Sequence, residues 1–254
     1  LKLIRWKQKK YALYFNGENA YIRAPNFITQ KPFTLMIRLK LDAIQANELL
    51  DSRDNFYPSG GKGLRITDEN GDGKYAVGIG DGTASVYSLE SIDLSDLQEH
   101  TVIIACSSTE MKIYVDGELV ETVDVSSIAD SPLNAATYLN IGRNFQGANY
   151  FPGKIYYLAY WNEEITDIDR LMANPFALPT TNLVCWYLFE EGVGDKVYDL
   201  SGNGNHGTAY NCEWVEDEIY AGSRFPRNRY GLLYAAEIRQ LGAGGINLGD
   251  GTLY

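Results

Sequence analysis

Met111-Lys112-Ile113-Tyr114-Val115-Asp116-Gly117-Glu118-Leu119-Val120-Glu121-Thr122-Val123 carries the reading of the fold. Apolar residues return at alternate positions on both sides of Asp116-Gly117, the period of strands with one buried face. Asp-Gly supplies the positive φ angles that a tight hairpin turn requires. Working outward, residues 33–41, 63–67, 75–79, 85–89, 100–107, 138–142, 153–161 and 182–189 are each of strand length. Gly, Asp, Asn or Ser bounds each of them. Residues 11–15 and 20–24 flank Asn16-Gly17, which predicts a second hairpin. About a dozen strands, with 19 tyrosines and 25 glycines, point to an all-β fold of two antiparallel sheets. One helical turn is predicted over residues 167–172. Thr166 stands three residues before Asp169 in a near capping-box arrangement, and Asn174-Pro175 stops the turn.

The chain has 254 residues, 45% of them hydrophobic, enough for one large core. The predicted organisation is a basic segment over 1–10, a sandwich over 11–217 and a Gly- and Arg-containing C-terminal arm over 218–254. Lys2, Arg5, Lys7, Lys9 and Lys10 crowd the start. They read either as a solvated stretch that keeps an edge strand soluble or as a contact arm. The end, from Leu241-Gly242-Ala243-Gly244-Gly245 to Gly251, is costly to order. It is either a loose end or an arm that orders on another copy or on a neighbouring virion or surface protein. The 33 acidic against 22 basic residues give a net charge of −11, which repels phosphate backbones and argues against nucleic acid and other polyanions as partners. No run approaches the ~18 apolar residues of a membrane span, so membrane insertion is not expected. The start lacks a signal pattern, and the missing initiator Met suggests a processed or trimmed N-terminus. Cys106, Cys185 and Cys212 fit no metal-ligand spacing and read as small core residues. Whether Cys185 pairs with Cys212 stays open.

Three stretches resemble a known family. Residues 12–22, with Phe15-Asn16-Gly17, resemble the opening strands of laminin-G-like, concanavalin-A-like domains. Lys112-Ile113-Tyr114-Val115-Asp116-Gly117, Leu139-Asn140-Ile141-Gly142-Arg143 and Phe151-Pro152-Gly153-Lys154-Ile155 are similar to its later strands. Residues 183–192 with Asp199-Leu200-Ser201-Gly202-Asn203-Gly204-Asn205-His206-Gly207 resemble its Asp-x-Ser-Gly-Asn-Gly-Asn-His-Gly element. The resemblance covers roughly residues 11 to 215. It implies a jelly-roll sandwich, to which the residues themselves add one short helix and extended terminal arms. The Ser-Gly-Asn-Gly-Asn-His-Gly element usually comes first and here comes last, which implies a circular permutation, or else an unfinished second repeat from Asn182 on. Residues 165–178 also resemble a linker of bacteriophage tail and virion proteins, implying an extracellular or virion-surface setting.

Relatives of this fold include glucanases, yet the chain lacks the Glu-x-Asp-x-x-Glu strand motif. Glu216 and Glu218 have the spacing of a carboxylate pair but lie in a charge-rich exit segment. His100 and His206 accompany no nucleophile motif. No catalytic residue is assigned, and the chain is expected not to be an enzyme. The resemblance implies a calcium ion held by Asp199 with backbone oxygens near Asn16 and Gly17. The alternative is that Asp199 and Asn203 bond their own turns. Residues 68–73 match the first half of an EF-hand loop, but Ile79 stands where the twelfth position needs a Glu, leaving an acidic hairpin tip. For a sugar, Asn55 and Tyr57 in one loop and Asn144, Phe145, Asn149 and Tyr150 in another are the candidate contacts. The expected function is a non-enzymatic virion or cell-surface structural module with a glycan-recognition or attachment role. The alternatives are a dedicated lectin or adhesin and, behind it, a glycoside hydrolase.

Overall fold

The computed structural model describes residues 7–55, 61–133, 136–174 and 178–220. Residues 11–216 form one compact unit, and the sandwich described here is that unit. Of the second unit, which joins residues 1–10 to 217–254, only strand ends fall among the described residues. The basic start before Lys7 and the arm beyond Tyr220 lie outside them. In chain order the elements are β1 (Lys7–Asn16), β2 (Tyr21–Pro25), β3 (Phe33–Leu41), β4 (Asn47–Asp51), β5 (Lys62–Asp68) and β6 (Lys74–Asp81). There follow β7 (Ser85–Tyr87), β8 (Ile92–Asp93), β9 (Glu99–Cys106), β10 (Glu110–Val115), β11 (Glu118–Asp124), β12 (Tyr138–Ile141) and β13 (Pro152–Trp161). A single short helix among the described residues, α1 (Ile168–Ala173), precedes β14 (Leu183–Tyr187), β15 (Lys196–Val197), β16 (Gly207–Tyr210) and β17 (Glu213–Tyr220).

Two antiparallel sheets make the sandwich, with the jelly-roll character predicted. The first runs β11-β10-β9-β3-β13-β1-β17, with β14 beside β13; the second runs β15-β16-β2-β12-β4-β5-β6-β7, with β8 beside β6. Between them, Phe15, Leu35, Ile37, Ile104 and Leu158 of the first sheet meet Ile22, Leu50, Ile66, Val77 and Ile141 of the second. At about 25 cal/mol per Å² of apolar surface removed from water, this shared core is the main stabilising term. The segment from Leu183 to Tyr210 belongs to this same sandwich, since β14 pairs with β13 and β16 with β2. It is not the opening of a second repeat.

The Asp116-Gly117 hairpin forms as predicted, with φ of 51° and 87° at the two turn residues and β10 antiparallel to β11. The Asn16-Gly17 hairpin does not form, because β1 and β2 lie in different sheets. Asn16 Oδ1 instead accepts the N–H groups of Glu18, Asn19 and Ala20. That cap carries the chain across the core, so residues 13 and 15 enter it from one side and residues 20 and 22 from the other. The helix cap also moves: Asp167, one residue after Thr166, accepts from the Arg170 N–H. Residues 68–73 are a hairpin tip, where the Asp68 carboxylate accepts from the N–H groups of Gly71, Asp72 and Gly73. All three cysteines are free thiols.

One histidine ties the first sheet to its turns. His100 Nδ1 lies 2.8 Å from Asp116 and Nε2 2.8 Å from Asp96. The Asp116 hydrogen bond, joined by that of Asp96 and opposed by burial, pushes the imidazole up to about 9. Because the folded value lies above the unfolded one, this contribution is complete below about pH 6.5 and is lost as the pH rises through about 9. Thermal melts of the parent chain should therefore fall across that window, and His100→Gln should flatten the fall. Parallel pH profiles for the two chains would refute this.

Candidate functional site

Strand alternation sets the site. In β2, Ile22 and Ala24 enter the core, so Tyr21 and Arg23 occupy the opposite face. Pairing then aligns one polar row across the second sheet: Thr208 faces Arg23, Arg23 faces Asn140, Asn140 faces Asp51, and Asp51 faces Arg65. At the centre of this row lies an open cavity of about 240 Å³. Its lining includes Arg23, Arg53, Asp54, Tyr138, Arg143 and Phe145.

Buried ion pairs hold its floor. Asp51 accepts from Arg53 Nε at 2.9 Å and from Nη2 at 2.8 Å, and its Oδ2 also takes the Phe145 N–H at 3.0 Å. Glu48 receives Arg65 through Nε and Nη2 at 2.8 and 2.9 Å. Burial pushes the Glu48 carboxyl above its ordinary value, against the pull of the guanidiniums of Arg65 and Arg53. Aromatic rings orient the arginines above this floor. The Arg143 guanidinium lies 3.4 Å from the Tyr21 ring centre, and Tyr21 stacks on Tyr210 at 4.7 Å. Arg23 lies over Tyr138 at 5.2 Å and Arg53 over Phe145 at 5.3 Å.

The loop between β12 and β13 closes on itself. Phe151 N–H donates to Gly142 O, Asn144 N–H to Ala148 O, and Ala148 N–H to the Asn144 side chain. Asn149 and Tyr150 lend their carbonyls to Glu48 N–H and Gln45 Nε2, and the Tyr150 hydroxyl donates to Gly147 O. Of the residues predicted to touch a sugar, Phe145 lines the cavity, while Asn144, Asn149 and Tyr150 build the loop that presents it. Asn55 is exposed and follows Asp54 of the cavity wall. Tyr57 lies outside the described residues. Arg23, Arg53, Tyr138 and Asn140 were not singled out from sequence. The alternation in β2 was a usable signal for Arg23, but its pairing with residues more than a hundred positions away was not.

The oxygens assigned to calcium have other partners. Asp199 Oδ1 accepts from the N–H groups of Trp186 and Ser201, and Oδ2 from Ser201 Oγ and Asn205 N–H, each at 2.9 Å. Gly17 O accepts from Gln45 Nε2, and Asn16 bonds its own loop. No hydrogen bond joins Asp199 to Asn16 or Gly17 among the described residues. His206 Nδ1 accepts the Asp199 N–H, and Asn203 Nδ2 reaches the carbonyls of Leu183 and Val184. The Ser-Gly-Asn-Gly-Asn-His-Gly element thus clips its loop onto β14. No cluster of three His, Cys, Asp or Glu side chains suited to a metal occurs among the described residues, and no helix there is long and apolar enough to cross a membrane.

Among similar solved structures, a candidate carbohydrate binding protein from Bacteroides ovatus aligns with a TM-score of 0.63 at 17% identity, over 84% of this chain and 61% of the other. The chain therefore spans less than two thirds of that protein. Domains LG4-5 of the mouse laminin alpha1 chain align at 0.48 and 17% identity, over 62% of this chain and 44% of that one. A heptameric SAP-like pentraxin from Limulus polyphemus aligns at 0.46 and 15% identity, over 84% and 94%. At such identities the likeness is one of fold. A search of curated proteins finds no match. A family sequence profile described as Concanavalin A-like lectin/glucanases superfamily matches residues 15–169.

Proposed function

The chain belongs to the Concanavalin A-like lectin/glucanases superfamily, and from that membership we propose that it is a non-catalytic glycan-recognition module whose binding site is the Arg23–Tyr138–Phe145 cavity. The observation that carries the reading is an open polar hollow on a rigid sheet face, edged by Tyr138, half exposed at 51%, and by Phe145. Sugars are bound in this manner, with a ring face against an aromatic side chain and hydroxyls on polar groups around it. The carbohydrate binding ascribed to the Bacteroides ovatus protein supports the same reading.

A glycosidase needs two carboxyl groups flanking its bond, one of them able to give up a proton. Asp54 is the one carboxylate lining the cavity among the described residues. Asp51 and Glu48 below it are held by arginines. Among the described residues the cavity offers polar and aromatic surfaces for a sugar and a single carboxylate where cleavage needs two, which favours holding over cleaving. Displayed on a virion or cell surface, such a module would attach its carrier to glycans. The virion setting rests on the resemblance of residues 165–178 to a phage linker, and attachment through the terminal arms rests on residues outside those described.

A glycan array probed with the full chain, with calcium and again with chelator, tests the reading. Binding should weaken at least tenfold in Tyr138→Ala and in Phe145→Ala while circular dichroism stays unchanged. Loss on chelation would add a calcium ion to the module. Binding that ignores both substitutions would move the site elsewhere on the sandwich.

A further inference from the structure

Two arginines at the cavity differ from the others near the sheets. Arg38, Arg53 and Arg65 pair with Glu99, Asp51 and Glu48 at 2.8 Å. Arg23 and Arg143 have no ion pair among the described residues. Among the described residues the one side-chain hydrogen bond of Arg143 runs from Nε to Asn140 Oδ1 at 3.2 Å. Among the described residues the Arg23 guanidinium makes none, and its buried Nε has no acceptor there. A buried donor left unpaired is costly, so it marks a place where an acceptor is missing. The aromatic contacts fit that picture. Tyr21 and Tyr138 cover guanidinium faces, and a guanidinium so covered bonds an anion through its in-plane N–H edge. Asp54 opposes them from the cavity wall, while the charge of Arg53 is already matched by Asp51. The local balance is cationic on a chain of net charge −11.

We propose that this cavity seats a carboxylate or sulfate group of one acidic sugar between Arg23 and Arg143, with the sugar ring against Tyr138. The proposal rests on the glycan reading and narrows it to a ligand class. The same chain charge that repels an extended polyanion leaves room for one anionic group, and a hollow of about 240 Å³ is small beside sites for larger ligands. The fitting ligand is therefore a largely neutral glycan with a single acidic residue at its end.

The test is the array divided into neutral, uronic-acid-terminated and sulfate-bearing glycans, followed by competition with free glucuronate, glucose 6-sulfate and glucose. Acidic glycans should dominate the binders, and one of the two charged competitors should displace them where glucose does not; which one acts separates carboxylate from sulfate. Arg23→Gln and Arg143→Gln should each weaken binding at least tenfold with melting unchanged. Should Arg23→Gln fail to fold, Arg143→Gln and a loss of binding between about 0.05 and about 0.5 M salt carry the test. Neutral binders that tolerate both variants overturn the acidic ligand and leave the glycan reading standing. No binder of any class overturns both.

Discussion

Replacing Glu48 with alanine is expected to lower the stability of the fold by about 3–5 kcal/mol, the usual cost of breaking a buried ion pair from one side. The Glu48 side chain is fully buried, and both its oxygens are engaged by Arg65, with Arg53 Nη2 at 3.6 Å. Without it, Arg65 keeps the exposed Glu69 carboxylate at 2.6 Å as its ion-pair partner among the described residues, and Arg53 keeps Asp51. The Arg65 guanidinium then loses its buried counter-charge in a poorly solvated layer. The penalty belongs to the orphaned partners, so Glu48→Leu combined with Arg65→Met should restore most of it, since hydrophobic replacement of a whole pair is often close to neutral. Urea unfolding of the single and double variants measures both quantities. A loss below about 1 kcal/mol in Glu48→Ala would mean that the pair is exchangeable with water after all.

Gly142→Ala should cost about 2–4 kcal/mol and should also impair ligand binding. Gly142 has φ of 88°, where an L side chain is strained, and an added Cβ would stand 2.6 Å from Phe15 Cδ1 and 3.3 Å from Ala20 O. Phe15 is fully buried and packs edge-on to Phe151 at 5.9 Å, so it cannot swing aside as a surface chain would. The strain has to pass into the loop that begins at Gly142, whose next residues include Arg143 and Phe145. Calorimetric melting and a binding titration on one preparation would check both halves. A variant that melts lower yet binds as the parent does would show that the loop holds its shape independently of Phe15.

Most of the sandwich was legible because strands that turn alternate residues to the core write that period into the sequence. The strand over residues 33–41 and the Asp116-Gly117 hairpin are cases where side-chain pattern and turn chemistry agree. Asn16-Gly17 misled because its dipeptide describes only a local bend. Whether the next strand pairs with the last or crosses to the other sheet depends on the core that residues 13, 15, 20 and 22 share. β4 escaped notice for a different reason. Asn47-Glu48-Leu49-Leu50-Asp51 reads as a polar stretch, yet all five residues are buried, because Arg65 and Tyr75 reach Glu48 and Asn47 from neighbouring strands while Arg53, two residues on, folds back onto Asp51. The site is read least well for the same cause. Phe145 could be named from its loop, whereas the row from Arg23 through Asn140 to Asp51 exists only through pairing register. Of the asparagines of that loop chosen as sugar contacts, Asn144 spends its hydrogen bonds on the loop itself and Asn149 gives its carbonyl to Glu48 N–H of β4.

The self-closed loop between β12 and β13 bears on the kinetics of recognition. Its backbone groups are bonded to one another or to Gln45 and β4, and its Phe145 N–H is fixed on Asp51, so a ligand arriving at the proposed site would find the surface already shaped. Little ordering remains to be done at the encounter. Ligands that differ in affinity should then share similar association rates and differ in how long they stay.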